Sequence, residues 1–225
     1  MSQNNSKKDP RLISYNTLRI TIGWLGILLP LAMIAGNFLF GQCHFLQDSN
    51  SHYYYTITGN LFTGILCAVA LFLIAYKGFD NDHIFTSLAG LFALGVAMFP
   101  TNDTSTDGCA IVHLLPNELR NIVHYSSAAL FFITLAYISL FLFTKSKGYK
   151  TKQKEKRNKV YVVCGAVILI AITSIALFTL FGKDDILDNY NLTFWLEWVA
   201  LIAFGLSWLV KGELILEDKH PKGNS

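Results

Sequence analysis

The sequence predicts an all-α, polytopic membrane protein: a bundle of six transmembrane helices with both termini in the cytoplasm. Three observations carry that prediction. Six apolar stretches meet or approach the ~20 residues a helix needs to cross a hydrocarbon core about 30 Å thick. Hydrophobic residues make up 52% of the 225-residue chain and charged residues only 15%, against about 25% charged in an ordinary soluble domain. Basic residues crowd the segments that would share one side of the membrane. The apolar runs are continuous rather than alternating, which excludes a β-barrel.

The first stretch, Leu18–Phe40, follows Lys7, Lys8, Arg11 and Arg19. It exceeds the ~7–15 apolar residues of a signal peptide, so it reads as an uncleaved span, with Pro30 expected to bend it. The second, Thr56–Tyr76, contains Cys67. The third, Ile84–Phe99, is the shortest; Ala89, Ala93 and Ala97 recur in it at four-residue spacing beside Gly90 and Gly95, which allows close backbone approach. The fourth, Asn121–Phe143, is expected to start near Pro116–Asn117, with the proline in the first turn. The fifth, Lys159–Phe181, contains Cys164, and the sixth, Leu192–Val210, carries Glu197 between Trp195 and Trp198. Residues 1–17 and 211–225 are left as tails flanking a transmembrane domain over 18–210, with no room for a separate soluble domain.

Six spans place both termini on one side, and Lys and Arg decide which. Sixteen of the eighteen fall on the face holding the termini and the second and fourth loops; only Arg120 and Lys183 fall on the other. The positive-inside rule makes the basic face cytoplasmic, so the protein is expected in the plasma or inner membrane if the chain is bacterial. Eight Lys/Arg between Lys145 and Lys159 would lie on anionic lipid headgroups, each contributing about 1 kcal/mol. Tyr149 is the single aromatic residue in that run, where a nucleic-acid platform requires several interleaved ones.

The same topology sorts the cysteines. Cys67 and Cys164 fall inside spans, where a thiol packs as a small apolar group. Cys43 and Cys109 fall in the first and third loops on the extracytoplasmic side, and a Cys43–Cys109 disulfide is predicted there.

Four of the six histidines (His44, His52, His113, His124) share that side with several carboxylates. His52, His113 and His124 are the metal candidates, although neither HxxxH nor HExxH spacing occurs. No cofactor is predicted, zinc being implied only by a hydrolase reading. On the fourth helix Arg120, His124 and Ser127 stand at i, i+4 and i+7, on one face. Glu197 lies one to two turns inside the same surface, and a carboxylate at that depth demands a partner; Arg120 and His124 are the expected ones. These residues form either a structural ion pair or a pocket open to the outside, walled further by Asn60, Ser51 and His52.

Three segments carry a resemblance: Ser51-His52-Tyr53-Tyr54-Tyr55 leading into Gly59-Asn60-Leu61-Phe62, Met98-Phe99-Pro100-Thr101 closing the third helix, and His124 near the start of the fourth. Over roughly residues 15–210 the chain resembles a group of six-span, mostly bacterial, integral membrane proteins of unassigned activity, themselves distantly similar to the Frag/DRAM/Sfk membrane families. That resemblance implies a six-helix bundle and no particular reaction. A second comparison is with alkaline ceramidases and progestin-receptor-like proteins, which use a serine, an aspartate and three histidines around zinc. Ser51, His52 and His124 would supply part of such a set, but the fifth and sixth helices contain no histidine and a seventh helix is missing.

Three function classes follow. The leading one is a non-catalytic bundle that binds a lipid or small ligand in an extracytoplasmic polar pocket. The others are a zinc-dependent lipid amidase or esterase, in which metal activates water, and a small proton-coupled transporter using His124 and Glu197. Few polar residues reach the middle of the fourth to sixth helices, which weighs against the transporter.

Overall fold

Apolar periodicity too uniform to leave a polar face produces helices that must bury against one another or against lipid. In the computed structural model, which describes residues 15–41, 44–77, 82–103, 109–146, 151–181 and 190–216, there are six such helices. They are α1 (Tyr15–Phe40), α2 (Gly59–Ala75), α3 (Asp82–Met98), α4 (Glu118–Tyr137, continued by a π-helical turn, Ile138–Leu142), α5 (Lys152–Leu180) and α6 (Leu192–Lys211). A 3-10 helix, Asn50–Tyr55, precedes α2. No strand occurs among the described residues.

Four of the helices, α1, α4 with its π turn, α5 and α6, are long and apolar enough to cross a membrane. The remaining two, α2 and α3, are apolar but have 17 residues each, or ~26 Å at 1.5 Å per residue. Each helix packs on its neighbour in sequence, and α6 returns to α1, closing a ring in chain order.

Several boundaries have local causes. Asn117 accepts a hydrogen bond from the Arg120 backbone N–H at 2.9 Å and caps α4, so Pro116 precedes the cap rather than occupying the first turn. Thr151 caps α5 in the same way through Lys154, at 3.0 Å. That cap starts α5 at Lys152, two turns before the apolar stretch begins, because polar residues extend a helix beyond the hydrocarbon. Pro30 lies inside an unbroken α1 and is buried.

Small residues set the closest approaches. A Cβ on Gly23 would stand 2.8 Å from the Gly205 carbonyl oxygen, and one on Gly205 would stand 2.5 Å from that of Gly23. The α1 and α6 backbones therefore touch where the ring closes. Ala89, Ala93 and Ala97 are at most 1% exposed, which puts the predicted small-residue stripe of α3 in the core. Gly90 abuts the Ala70 carbonyl of α2.

At the end of the bundle where α1 starts and α6 stops, Arg19 donates to the Tyr76 hydroxyl at 3.3 Å and lies 5.4 Å over that ring. Tyr76 packs edge-on against buried Trp208, centroids 5.0 Å apart. Lys145 pairs with Asp82 at 2.9 Å. Lys154 donates to the Phe143 carbonyl at 2.8 Å, and buried Arg157 to the Leu216 carbonyl at 3.1 Å. Several cations of the Lys145–Lys159 run thus turn inward, Lys154 and Arg157 reaching backbone carbonyls on long alkyl stems. Residues 147–150 of that run lie outside the described residues.

Candidate functional site

The opposite end of the ring holds the polar residues singled out from the sequence. The 3-10 helix is built locally: Ser49 caps it by accepting from the His52 N–H at 3.3 Å, and Thr56 closes it through the Tyr53 carbonyl at 2.9 Å. It is then fastened on several sides. Tyr55 donates its hydroxyl to the Thr101 carbonyl, and the Ile111 N–H donates to the Tyr55 carbonyl at 2.8 Å. Phe194 at the head of α6 donates its N–H to the Asp48 backbone carbonyl at 3.0 Å. Burial raises the phenols of both Tyr53 and Tyr55 above their ordinary value, while the nearby Arg120 charge partly offsets this for Tyr55.

Ser51, second in that helix, faces His124 of α4. The Ser51 Oγ to His124 Nε2 distance is 3.1 Å, and His124 Nδ1 lies 2.7 Å from the Phe99 carbonyl oxygen. A carbonyl only accepts, so Nδ1 carries the proton in the neutral ring and Nε2 accepts from the Ser51 hydroxyl. The Phe99 carbonyl is available because α3 ends at Met98 and Pro100 cannot extend it, leaving terminal carbonyls without helical donors. Ser51 is 9% exposed and His124 2%.

Glu197 does not meet Arg120 or His124, which corrects the expected ion pair. Its Oε2 accepts from the Asn50 backbone N–H at 2.8 Å and from Asn50 Nδ2 at 3.2 Å. Arg120 turns the other way, donating to Pro100 O, Asn102 Oδ1 and Leu115 O at 3.1, 3.1 and 3.2 Å. Its guanidinium fork suits carbonyls of the third loop, and the amide donors of Asn50 satisfy the carboxylate without a second buried charge.

Ser51, Asn50 and Glu197 share the wall of a cavity of about 40 Å³ at the centre of the ring. Leu29, Phe62, Leu66, Val96, Phe131 and Leu201, from α1, α2, α3, α4 and α6, supply its apolar wall with others. That volume holds about three or four water-sized spheres, each needing roughly 10–15 Å³. Asn50 is 4% exposed, and its Oδ1 has no hydrogen-bond partner.

The other candidates disperse. Asn60 is exposed. Ser127 is half-buried beside Gly95, and the cavity wall takes Ala128 instead. His52 Nδ1 lies 2.9 Å from Ser49 Oγ. His113 pairs on the surface with Asp103 at 3.3 Å. The described residues hold no group of three His, Cys, Asp or Glu able to grip a metal. Cys67 and Cys164 are free thiols and Cys109 is buried, while Cys43 lies outside the described residues. Asn50 falls in none of the sequence patterns, and Phe99 and Thr101 enter them only as part of Met98-Phe99-Pro100-Thr101. The signal for Asn50 was a carboxylate in an apolar helix that had to find donors.

Compared with known proteins, the chain matches no family model, no curated protein and no solved structure.

Proposed function

We propose that this is an integral membrane protein crossing six times, with both termini cytoplasmic, which receives a small ligand, or the end group of a lipid, in its central cavity from the extracytoplasmic side. The observation that carries this reading is the cavity itself: apolar on most of its wall, polar at Asn50, Ser51 and Glu197. The bare Asn50 Oδ1 adds direction. A buried acceptor without a donor costs about 1–3 kcal/mol, and an occupant that donates a hydrogen bond removes that cost.

The six-span count rests on the α2–α3 pair bridging the gap between α1 and α4 in the ring, with the 3-10 helix covering the end where α2 falls short. The orientation rests on the sixteen-to-two split of basic residues. In it, the Ser51 end faces an oxidising compartment, where Cys43 and Cys109 form a disulfide, and the Arg19–Lys145 end meets anionic headgroups.

Native mass spectra of the detergent-purified protein test the cavity. A retained small molecule or lipid is expected in wild type and absent from Ala128→Phe, which fills the space; an empty wild type would count against the reading. Reporter fusions at the two termini should both report cytoplasm, and reporters on opposite sides would end the six-span assignment.

A further inference from the structure

We propose that Ser51 is a nucleophile that takes a short acyl group from a carboxylic ester, with His124 as its general base. The inference deepens the cavity reading and rests on it.

A serine bonded to a histidine is by itself only a buried hydrogen bond; three features make this one more. The direction of the bond is set, because Phe99 O holds Nδ1–H at 2.7 Å and leaves the Nε2 lone pair facing Ser51 Oγ at 3.1 Å. This is the arrangement in which a third group orients the base and the base activates the nucleophile, a backbone carbonyl here standing where a carboxylate often does. Ser51 also borders open space, since it lies on the wall of the cavity. The same space is bordered by Asn50, whose buried Oδ1 has no partner; an acetyl group brings no donor to it, and the water of the second half-reaction does.

The cavity sets the substrate class. About 40 Å³ lined by Leu29, Phe62 and Phe131 suits an acetyl-sized group better than a fatty acyl chain, so the alcohol part of the ester stays outside. In the first half-reaction Ser51 Oγ attacks the acyl carbon while its proton passes to His124 Nε2. The tetrahedral adduct collapses, the C–O bond to the alcohol breaks, and the leaving oxygen takes that proton. In the second, water gives a proton to Nε2 and attacks the acyl-Ser51 carbonyl; the ester bond to Oγ breaks and Oγ recovers the proton. Ester and water become carboxylic acid and alcohol.

The full-length protein in detergent is treated with p-nitrophenyl acetate and, separately, with a fluorophosphonate probe. Peptide mass spectrometry is expected to find both adducts on Ser51, with acetylation faster than octanoylation from the matching ester. Ser51→Ala should lose them. His124→Gln should slow acetylation by about 100-fold or more, the usual weight of a general base, while His83→Ala at the far end stays within about two-fold. Ligand retention in native spectra is read on the same samples. A wild type that retains its ligand but never carries an adduct on Ser51 overturns the nucleophile and leaves the cavity reading standing, as does equal acetylation in His124→Gln. A wild type with neither overturns both. Circular dichroism and melting confirm folding, and Ser51→Cys, which keeps a nucleophile in place, should still be acetylated if the site is intact.

Discussion

Asn50 donates twice to one oxygen of Glu197, from its backbone at 2.8 Å and from its side chain at 3.2 Å. Across 147 residues of sequence, this double contact locks the 3-10 helix onto α6 and thereby fixes where Ser51 points. Hydrogen bonds to a charged group contribute roughly 1.5–3 kcal/mol each. Asn50→Ala removes the side-chain donor and is expected to destabilise by about 2 kcal/mol. Glu197→Gln keeps a carbonyl acceptor and should cost less, about 1 kcal/mol. A double-mutant cycle of Asn50→Ala with Glu197→Ala, by unfolding in detergent, should show coupling of about 0.5–3 kcal/mol; additive effects would mean the contact is not formed in solution.

The Gly23–Gly205 contact predicts a different kind of sensitivity. At Gly205 a methyl group meets the Gly23 carbonyl and the Ile27 side chain, and backbone cannot move aside as a side-chain tip can. Gly205→Ala is therefore expected to destabilise by about 1–3 kcal/mol, the usual cost of overpacking. Gly64 on α2 has nothing within 4 Å of an added Cβ, so Gly64→Ala should be neutral or stabilising by up to about 1 kcal/mol through helix propensity. Melting temperatures of the two variants in one detergent compare them directly. Equal shifts would contradict the close approach of α1 and α6.

Most helix positions were legible in the sequence, because ~20 apolar residues in a row admit few alternatives to a helix. Leu192–Lys211 and Tyr15–Phe40 depart from the expected limits by only a few residues. The contacts at the site were harder to read. The sequence places His124 and Ser51 in the wall of one candidate pocket, yet nothing in it says that the two bond directly, 73 residues apart. The Glu197 pairing failed for a physical reason. Opposite charges make the obvious partner, but a buried carboxylate is satisfied equally well by amide donors such as those of Asn50. Arg120 went to carbonyls of the third loop instead, where no charge pairing was needed.

Alkaline titration gives a readout of the packed 3-10 helix. Tyr53 is 1% exposed, and burial raises its phenol above the usual 10.0. Above pH 10.0 the unfolded chain releases this proton while the folded protein keeps it. Stability from this group is complete below pH 10.0 and falls as pH rises toward the folded value. Wild-type melting temperature should drop with pH in that range, and Tyr53→Phe should flatten part of the fall. A Phe variant with an unchanged alkaline slope would show that the phenol is solvated.

The Cys43–Cys109 disulfide would tie the loop before the 3-10 helix to the segment that already donates Ile111 N–H to Tyr55. Closing a loop of roughly that length removes about 4 kcal/mol of unfolded-state entropy in the chain-entropy model, with measured values commonly 2–4. Alkylation of the unreduced protein should modify Cys67 and Cys164 at most, and alkylation after reduction should reach all four cysteines. Cys109→Ser should destabilise by about 2–4 kcal/mol, whereas Cys67→Ala, which removes a half-buried packing thiol, should cost less than about 1.5 kcal/mol. The consequence for the site is separable from stability. With the cystine gone, the 3-10 helix keeps its Glu197 anchor but loses part of its hold on the third loop, so acylation of Ser51 should slow even at temperatures where the reduced protein remains folded. Alkylation of Cys43 and Cys109 without reductant would remove the bond, and unchanged Ser51 labelling in Cys109→Ser would remove its connection to the site.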